Sequence, residues 1–269
     1  MKTLATIHLI DGEKGGVGKS FVARTMIQYG LDRSFPFVAV ETDRSNPDVA
    51  GVYEDICQYA VFTEDEKQAD KADRIFEMGM EKNVIVSLPS QVHRAMKSWI
   101  EKNQLLTLGQ EYGVSFCKWF VCNGEYDSIR LFLASVDCYE KRMTHILVRN
   151  LGLCDEWSPI DEDESVQELI KKYRVKVIDF PKLGYKERYL INQHRLQFDE
   201  AREYRDFGVL GRQRVVNFLK CAYSAFDSTG MWQDESIEPE IKSKTASTTG
   251  TSDSAPKKVK ARRTKNQGV

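Results

Sequence analysis

Short apolar runs alternate with longer amphipathic segments along most of the chain. Six runs are rich in β-branched or aromatic residues and are short enough to be buried strands, at 3–10, 35–42, 83–89, 113–122, 143–151 and 173–181. Helices are predicted at 19–31, 64–82, 90–106, 127–142, 197–206 and 209–227, with a short one before the sixth strand. Buried strands separated by helices are typical of a mostly parallel sheet covered on both faces. The predicted fold class is therefore doubly wound α/β.

Composition limits the class of protein. The chain has 269 residues, 41% of them hydrophobic and 10% aromatic, which is the balance of a globular domain with a sizeable core. Six scattered cysteines with no CxxC pair argue against a zinc site and against a disulfide framework. No apolar run reaches the roughly 18 residues needed to span a membrane, and the N-terminus leads directly into the first strand. We expect a cytoplasmic protein without a membrane span.

The charge is distributed unevenly. Residues 241–269 contain eight Lys or Arg and one acid, a net +7, so residues 1–240 carry about −8 of the total of −1. This tail is rich in Ser, Thr and Lys and has too little apolar surface to fold. The sequence predicts one domain at 1–232 and a disordered basic tail at 233–269. The tail suits contact with nucleic acid or an acidic partner, or it is a solubilising terminus.

The first predicted strand ends at the glycine-rich segment GEKGGVGKS, residues 12–20. Gly18-Lys19-Ser20 fits the end of the phosphate-loop pattern GxxxxGK[ST], although Glu13 stands where that pattern begins with glycine. In such a loop, backbone N–H groups and the helix N-terminus bind phosphate, the lysine contacts the β- and γ-phosphates, and the serine hydroxyl ligates Mg²⁺. The segment predicts a site for ATP and Mg²⁺.

The second lysine of this segment, Lys14, makes it resemble the deviant Walker A motif of the ParA/MinD family of ATPases. In that family the residue before this lysine is commonly not glycine, which accounts for Glu13. The resemblance implies that Lys14 crosses a dimer interface and contacts the ATP bound in the other subunit, so that ATP holds a homodimer together. An extra lysine there would neutralise charge between two facing nucleotides. The alternative is a solvated surface lysine.

Later segments extend the resemblance, and one departs from it. In VETDRSNPDV (40–49), Asp43 matches the family aspartate that polarises the attacking water, and Glu41 takes the place of the aspartate before it. The alternative for Asp43 is a turn cap. The Walker B strand VIVSLP has Ser87 where the family has an acid, which leaves hydrolysis rate and Mg²⁺ affinity in doubt; Asp43 or Glu41 is the candidate substitute.

The resemblance also assigns the remaining site residues. Asn150, at the end of the fifth predicted strand, would read the adenine edge or else cap a turn, and Pro181 would lie beside the base. The candidate catalytic residues are Lys14, Lys19 and Asp43, and the candidate metal ligands are Ser20 and Asp43. The candidate nucleotide-binding residues are Gly15, Gly16, Val17, Gly18, Lys19, Ser20, Phe21, Asn150 and Pro181.

Within the family, residues 1–230 look most like a plasmid-encoded branch that includes StbB and the TraL/MobD-type proteins. This implies an ATPase, stimulated by DNA or a partner, that acts in plasmid stability, positioning or conjugative transfer with a DNA-bound partner protein. Non-specific DNA contacts would come from the tail and from five basic residues of the late helices, Arg202, Arg205, Arg212, Arg214 and Lys220. The alternative for these five residues is a solvated helix face. The alternatives are a non-hydrolysing ATP-bound scaffold and an ATP-dependent small-molecule enzyme.

Overall fold

The computed structural model describes residues 5–232, so the predicted tail at 233–269 lies outside the described residues. The strands are β1 (Ala5–Asp11), β2 (Phe37–Glu41), β3 (Cys57–Tyr59), β4 (Asn83–Ser87), β5 (Val114–Cys122), β6 (Thr144–Asn150) and β7 (Lys176–Phe180). The helices are α1 (Lys19–Asp32), α2 (Asp73–Gly79), α3 (His93–Lys102), α4 (Leu105–Tyr112), α5 (Tyr126–Tyr139), α6 (Ser158–Asp161), α7 (Glu164–Tyr173), α8 (Tyr185–Gln193), α9 (Phe198–Glu203) and α10 (Gly208–Ser228). Short 3₁₀ turns lie at Glu54–Ile56, Glu66–Ala72, Glu140–Arg142 and Arg205–Phe207.

The seven strands form one parallel sheet in the order β3-β2-β4-β1-β5-β6-β7. The predicted fold class is confirmed, and each of the six predicted strands is present. The three-residue edge strand β3 and the helices α4 and α8 were not predicted, and two helices, α6 and α7, are present where one short helix was predicted. The helix predicted at 64–82 is divided into a 3₁₀ turn and α2.

Helices cover both faces of the sheet because the inner strands are buried on both sides. All seven residues of β1 are buried. On one face, apolar side chains of α1, α8, α9 and α10 pack together around residues such as Trp119 and Phe226. On the other face, α2 to α5 cover one apolar cluster, and α5 to α7 cover a second that includes Phe120 and Phe132.

The strand order reverses at β1, since β2 lies to one side of it and β5 to the other. In open parallel sheets, a crevice at the carboxyl ends of the strands forms at such a reversal, and ligands bind there. The fold therefore places the glycine-rich segment after β1 at the expected binding edge. No helix within residues 5–232 is long and apolar enough to cross a membrane.

Candidate functional site

The loop between β1 and α1 has the backbone of an anion site. Gly16 and Gly18 take positive φ angles of 79° and 98°, which glycine adopts without strain. At residue 18 a Cβ atom would also come within 2.4 Å of Asn150 Nδ2, so glycine is needed there for two reasons. The loop ends at the N-terminus of α1, where unpaired backbone N–H groups and the helix dipole favour a bound anion.

A cavity of about 520 Å³ opens above this loop. Eight of the sequence-predicted residues line it: Gly16, Gly18, Lys19, Ser20, Phe21, Asp43, Asn150 and Pro181. Lys14, Gly15 and Val17 do not. The Val17 side chain is fully buried in the core, and its carbonyl accepts a hydrogen bond from Asn150 Nδ2 at 2.9 Å.

Lys19 lies at the floor of the cavity and is only 8% exposed. Its Nζ donates a hydrogen bond to the carbonyl of Lys14 at 3.0 Å, which holds the ammonium group under the loop. Burial lowers the pKa of Lys19, while the negative charges of Asp11, Glu13 and Asp43 raise it. The side chain is thus a restrained cation beside the helix N-terminus.

Lys14 does not line the cavity, and it pairs with Glu125, the residue before α5. The hydrogen bond to Glu125 raises the pKa of Lys14, which therefore stays charged at neutral pH. Sequence reasoning missed this partner because the two residues are 111 positions apart. An exposed ion pair of this kind is screened by water and is readily exchanged for another anion.

Glu41 and Asp43 have different roles in the loop after β2. Both Glu41 oxygens accept backbone N–H groups, Oε1 from Asp43 at 2.9 Å and Oε2 from Val49 at 3.0 Å. Glu41 is 1% exposed and does not line the cavity, so its observed contacts are those that shape the loop, and a role near Mg²⁺ in place of the missing acid stays a prediction. Asp43 lines the cavity and also caps the turn, accepting from Ser45 N and Asn46 N through Oδ1.

Ser87 ends β4 at the carboxyl edge and lines the cavity. Its carbonyl accepts a hydrogen bond from Thr42 Oγ1 at 2.6 Å, which ties the loop after β2 to the end of β4. The Walker B position is therefore neutral, as the sequence indicated. Two acidic residues line the cavity, Asp43 and Asp48, and Asp48 lies 4.0 Å from the buried Arg24.

Asn150 connects the phosphate loop to the loop after β6. Its Nδ2 donates to Val17 O at 2.9 Å, and its Oδ1 accepts from Gly152 N at 3.0 Å. Each end of the amide keeps capacity for a second hydrogen bond. The role of Asn150 in reading a base stays a prediction, and its observed contacts are those of a brace between two loops.

Sequence reasoning missed the contribution of α8 to the cavity wall. Arg188 and Asn192 lie one turn apart on this helix, and both line the cavity. Asn192 Oδ1 accepts a hydrogen bond at 3.0 Å from the buried Arg24 of α1. The signal was available, because Tyr185 to Gln193 contains no helix breaker and follows a glycine.

Behind the loop lies a fully buried ion pair. Asp11, the last residue of β1, contacts Lys118 Nζ of β5 at 2.9 Å, and both side chains are 0% exposed. Asp11 Oδ1 also accepts from the N–H groups of Gly12 and Glu13, at 2.6 and 3.2 Å. Burial alone would raise the pKa of Asp11, but the charge of Lys118 and these hydrogen bonds outweigh it and lower the pKa. The pair thus fixes the start of the phosphate loop.

Glu13 is the second carboxyl of this region. It takes a positive φ of 44°, the conformation that explains why glycine is common there. Its Oε1 is buried without a hydrogen-bond partner among residues 5–232. Burial, and next the charge of Asp11, raise the pKa of Glu13 to about 7, against the opposing effect of Lys118.

We expect Glu13→Gln to stabilise the protein more at pH 8 than at pH 5. The folded-state pKa of Glu13, about 7, lies above the ordinary value of 4.5. The protonated carboxyl therefore contributes to the stability of the wild type fully below pH 4.5, and this stability is lost as the pH rises through 7. Allowing for solvent screening, the difference in free energy of unfolding between variant and wild type should be about 1 kcal/mol larger at pH 8 than at pH 5. Urea unfolding at both pH values measures it, with the exposed Glu111→Gln as control. A gap that does not change with pH contradicts the expectation.

The late-helix basic residues are mostly paired. Arg202 pairs with Asp32, Arg214 with Glu187 at 2.6 Å, and Arg212 with Glu203 at 3.7 Å. Within the described part of the chain, Arg205 and Lys220 have no ion-pair partner. Arg205 and Lys220 are thus the two of the five whose charge is not paired within the described residues, and contact of any of the five with DNA stays a prediction.

No family model matches the chain. It is 26% identical to Protein MobD of Acidithiobacillus ferrooxidans over 155 residues. This match covers 54% of this chain and 63% of MobD, which is less than two thirds of the length of MobD. It is 24% identical to Protein TraL of Escherichia coli over 245 residues, which covers 85% of this chain and 100% of TraL. Its fold is similar to that of the MinD cell division protein of Aquifex aeolicus, with a TM-score of 0.50 and 12% identity over 86% of this chain and 98% of MinD. In sequence the chain is therefore similar to TraL and MobD, and it shares the fold of MinD.

Proposed function

We propose that this protein is an ATP-dependent switch that dimerises around ATP and acts in plasmid transfer or maintenance. The observation that carries the proposal is the cavity at the end of β1, where Lys19, Ser20 and Asp43 meet above a glycine-rich helix N-terminus. This set combines a cation, backbone donors and hard oxygen ligands, which is what a Mg²⁺-nucleotide requires.

Each residue has a distinct task in the proposed site. Lys19 neutralises the β- and γ-phosphates, and the N–H groups at the start of α1 hold the β-phosphate. Ser20 and Asp43 supply oxygens for Mg²⁺, and Asp43 orients the attacking water. Bound Mg²⁺ would supply neutralisation of the charge that develops on the phosphates. With Ser87 in the Walker B position, turnover is expected to be slow and stimulated by a partner or DNA.

Lys14 is proposed to make ATP binding a cause of assembly. In the isolated chain it pairs with Glu125 at the surface, so its ammonium group can exchange this partner for a phosphate of a nucleotide in a second subunit. Two facing ATP molecules repel each other unless such a cation lies between them. Hydrolysis then removes the γ-phosphate and weakens the dimer.

The proposed setting is plasmid DNA handling in the cytoplasm, with a DNA-bound protein as partner. The similarity to TraL and MobD supports the setting. Direct, non-specific DNA contact would fall to Arg205, Lys220 and the basic tail, through phosphates and without base readout.

A second candidate function is favoured by Ser87. An ATP-bound scaffold that does not hydrolyse its nucleotide would keep Lys14, Lys19 and Ser20 and would tolerate the loss of the Walker B acid. Phosphate release with ATP, DNA and partner present separates the two functions. Steady turnover that disappears in Lys19→Ala would exclude the scaffold.

We expect wild type to run as a dimer with ATP and Mg²⁺ and as a monomer with ADP. Lys14→Ala should stay monomeric with ATP while binding ATP with an affinity within about threefold of wild type, because its ammonium group lies outside the subunit's own cavity. Size-exclusion chromatography with light scattering and nucleotide titration measure the two quantities.

The control for this experiment is Lys97→Ala, which removes an exposed lysine of α3. It should dimerise like wild type. The dimer hypothesis fails if wild type stays monomeric with every nucleotide, or if Lys14→Ala dimerises normally.

A further inference from the structure

The outward side of α8 carries an exposed aromatic pair. Tyr185 and Tyr189 are 74% and 53% exposed, and they lie one turn apart on the helix. Their rings stack on each other with centroids 6.0 Å apart and planes at 22°. The two rings thus present a flat aromatic surface to the outside of the domain, with a hydroxyl group on each ring.

Basic residues lie close to this pair in the chain. Lys182 precedes α8 by three residues, Lys186 and Arg188 lie on α8, and Arg188 lines one surface depression with both tyrosines; we call these three residues with Tyr185 and Tyr189 the α8 face. Lys186 donates a hydrogen bond to the carbonyl of Asp206, and no carboxylate pairs with these three cations within residues 5–232. The α8 face therefore presents three uncompensated positive charges beside two aromatic rings.

The acid within α8 is turned away from this surface. Glu187 is only 2% exposed, and its Oε1 accepts two hydrogen bonds from Arg214, at 2.6 and 3.0 Å. The pairing neutralises the carboxylate on the inner side of the helix. It also fixes α8 against α10, so the outer side keeps a defined orientation.

We propose that the α8 face binds single-stranded nucleic acid. Unpaired bases expose flat π-faces that stack on tyrosine, and the phosphates between them are neutralised by nearby lysine and arginine. In a duplex the bases are already stacked on each other, so a duplex would use the three cations and leave the tyrosine rings unused. The combination of rings and charge favours a strand with unpaired bases over a duplex and over a neutral protein surface.

The α8 face also adjoins the nucleotide cavity. Arg188 lines that cavity and, with Tyr185 and Tyr189, a neighbouring surface depression. A strand that draws the Arg188 guanidinium outward changes the cavity wall, so strand binding and nucleotide binding are expected to affect each other. The strand site itself does not require that ATP be bound, so it stands independently of the proposed function.

The test is binding of a fluorescent oligo(dT) of about 16 nucleotides to the full chain at low salt without nucleotide, measured by anisotropy. Tyr185→Ala/Tyr189→Ala should raise the Kd at least about fivefold, because stacking contributes through each ring. Tyr185→Phe/Tyr189→Phe should keep the Kd within about twofold, since phenylalanine also stacks. Lys182→Ala/Lys186→Ala should make the slope of log K against log salt shallower by about 1.4.

Tyr112→Ala is the matched control, because Tyr112 is also 53% exposed but lies on α4, and it should leave the Kd unchanged. A second measurement separates the α8 face from the basic tail. Oligo(dT) carrying 5-iodouracil should crosslink under light to Tyr185 or Tyr189, as located by mass spectrometry. Equal affinity of the alanine and wild-type proteins overturns the proposal, as do crosslinks confined to the tail. A duplex that binds as tightly and without sensitivity to the tyrosines also overturns it.

Discussion

Replacing Lys118 by methionine is expected to lower the free energy of unfolding by about 3–5 kcal/mol. Lys118 and Asp11 are both fully buried and lie 2.9 Å apart, so removal of the cation leaves a carboxylate in the core without a counter-charge. The loss of the contact between Lys118 Nζ and the Tyr139 ring, 4.9 Å from its centroid, adds a smaller cost. Urea unfolding followed by circular dichroism measures the change.

The double variant Asp11→Asn/Lys118→Met identifies the cause. Asparagine removes the charge but keeps an oxygen to accept the N–H groups of Gly12 and Glu13. Most of the lost stability should therefore return, since no unpaired charge is left in the core. Lys97→Met, at an exposed position on α3, should have almost no effect.

The destabilisation of Lys118→Met should also depend on pH. Without Lys118, burial raises the folded-state pKa of Asp11 above its ordinary value, so the loss of stability shrinks as the pH falls and the carboxyl takes up a proton. A single variant within about 1 kcal/mol of wild type, or a double variant no more stable than the single, would contradict the assigned role of the pair.

The architecture could be predicted from the sequence because its determinants are local. Buried parallel strands such as β1 and β5 are predominantly apolar runs, and the phosphate loop is contiguous from Glu13 to Ser20. The strand Cys57–Tyr59 was missed because three residues at a sheet edge, one partly buried and two exposed, leave no apolar pattern. Its strand geometry comes from pairing with β2 and not from its own composition.

Side-chain partners in the site could not be predicted in the same way. Lys14 with Glu125 and Asp11 with Lys118 are pairs more than a hundred residues apart, brought together by strand order. One signal was available, because a lysine within the apolar run of β5 requires a buried partner. The hydrogen bonds of Glu41 could not be predicted for a related reason, because the backbone amides it binds belong to a loop whose shape the sequence does not specify.

Lys19→Ala is expected to weaken binding of ATP by about 100-fold and to abolish any turnover. The side chain is 8% exposed beside the N-terminus of α1, and burial of the ammonium makes its contact with phosphate strong. Fold stability should change little, because within residues 5–232 the only side-chain hydrogen bond that the variant removes is that of Nζ to the Lys14 carbonyl. Titration of a fluorescent ATP analogue measures affinity, and urea unfolding measures stability.

Comparison of Lys19→Ala with Lys14→Ala separates nucleotide binding from dimer formation. Both variants lose one positive charge from the same loop, but Lys19 lines the cavity and Lys14 is held outside it by Glu125. Lys19→Ala should therefore lose nucleotide binding and, as a consequence, the dimer, whereas Lys14→Ala should lose the dimer alone. If both variants lose affinity for ATP equally, the two lysines act on one nucleotide within one subunit, and the division between binding and assembly is wrong. If neither loses affinity, the cavity is not the nucleotide site, whatever the loop resembles.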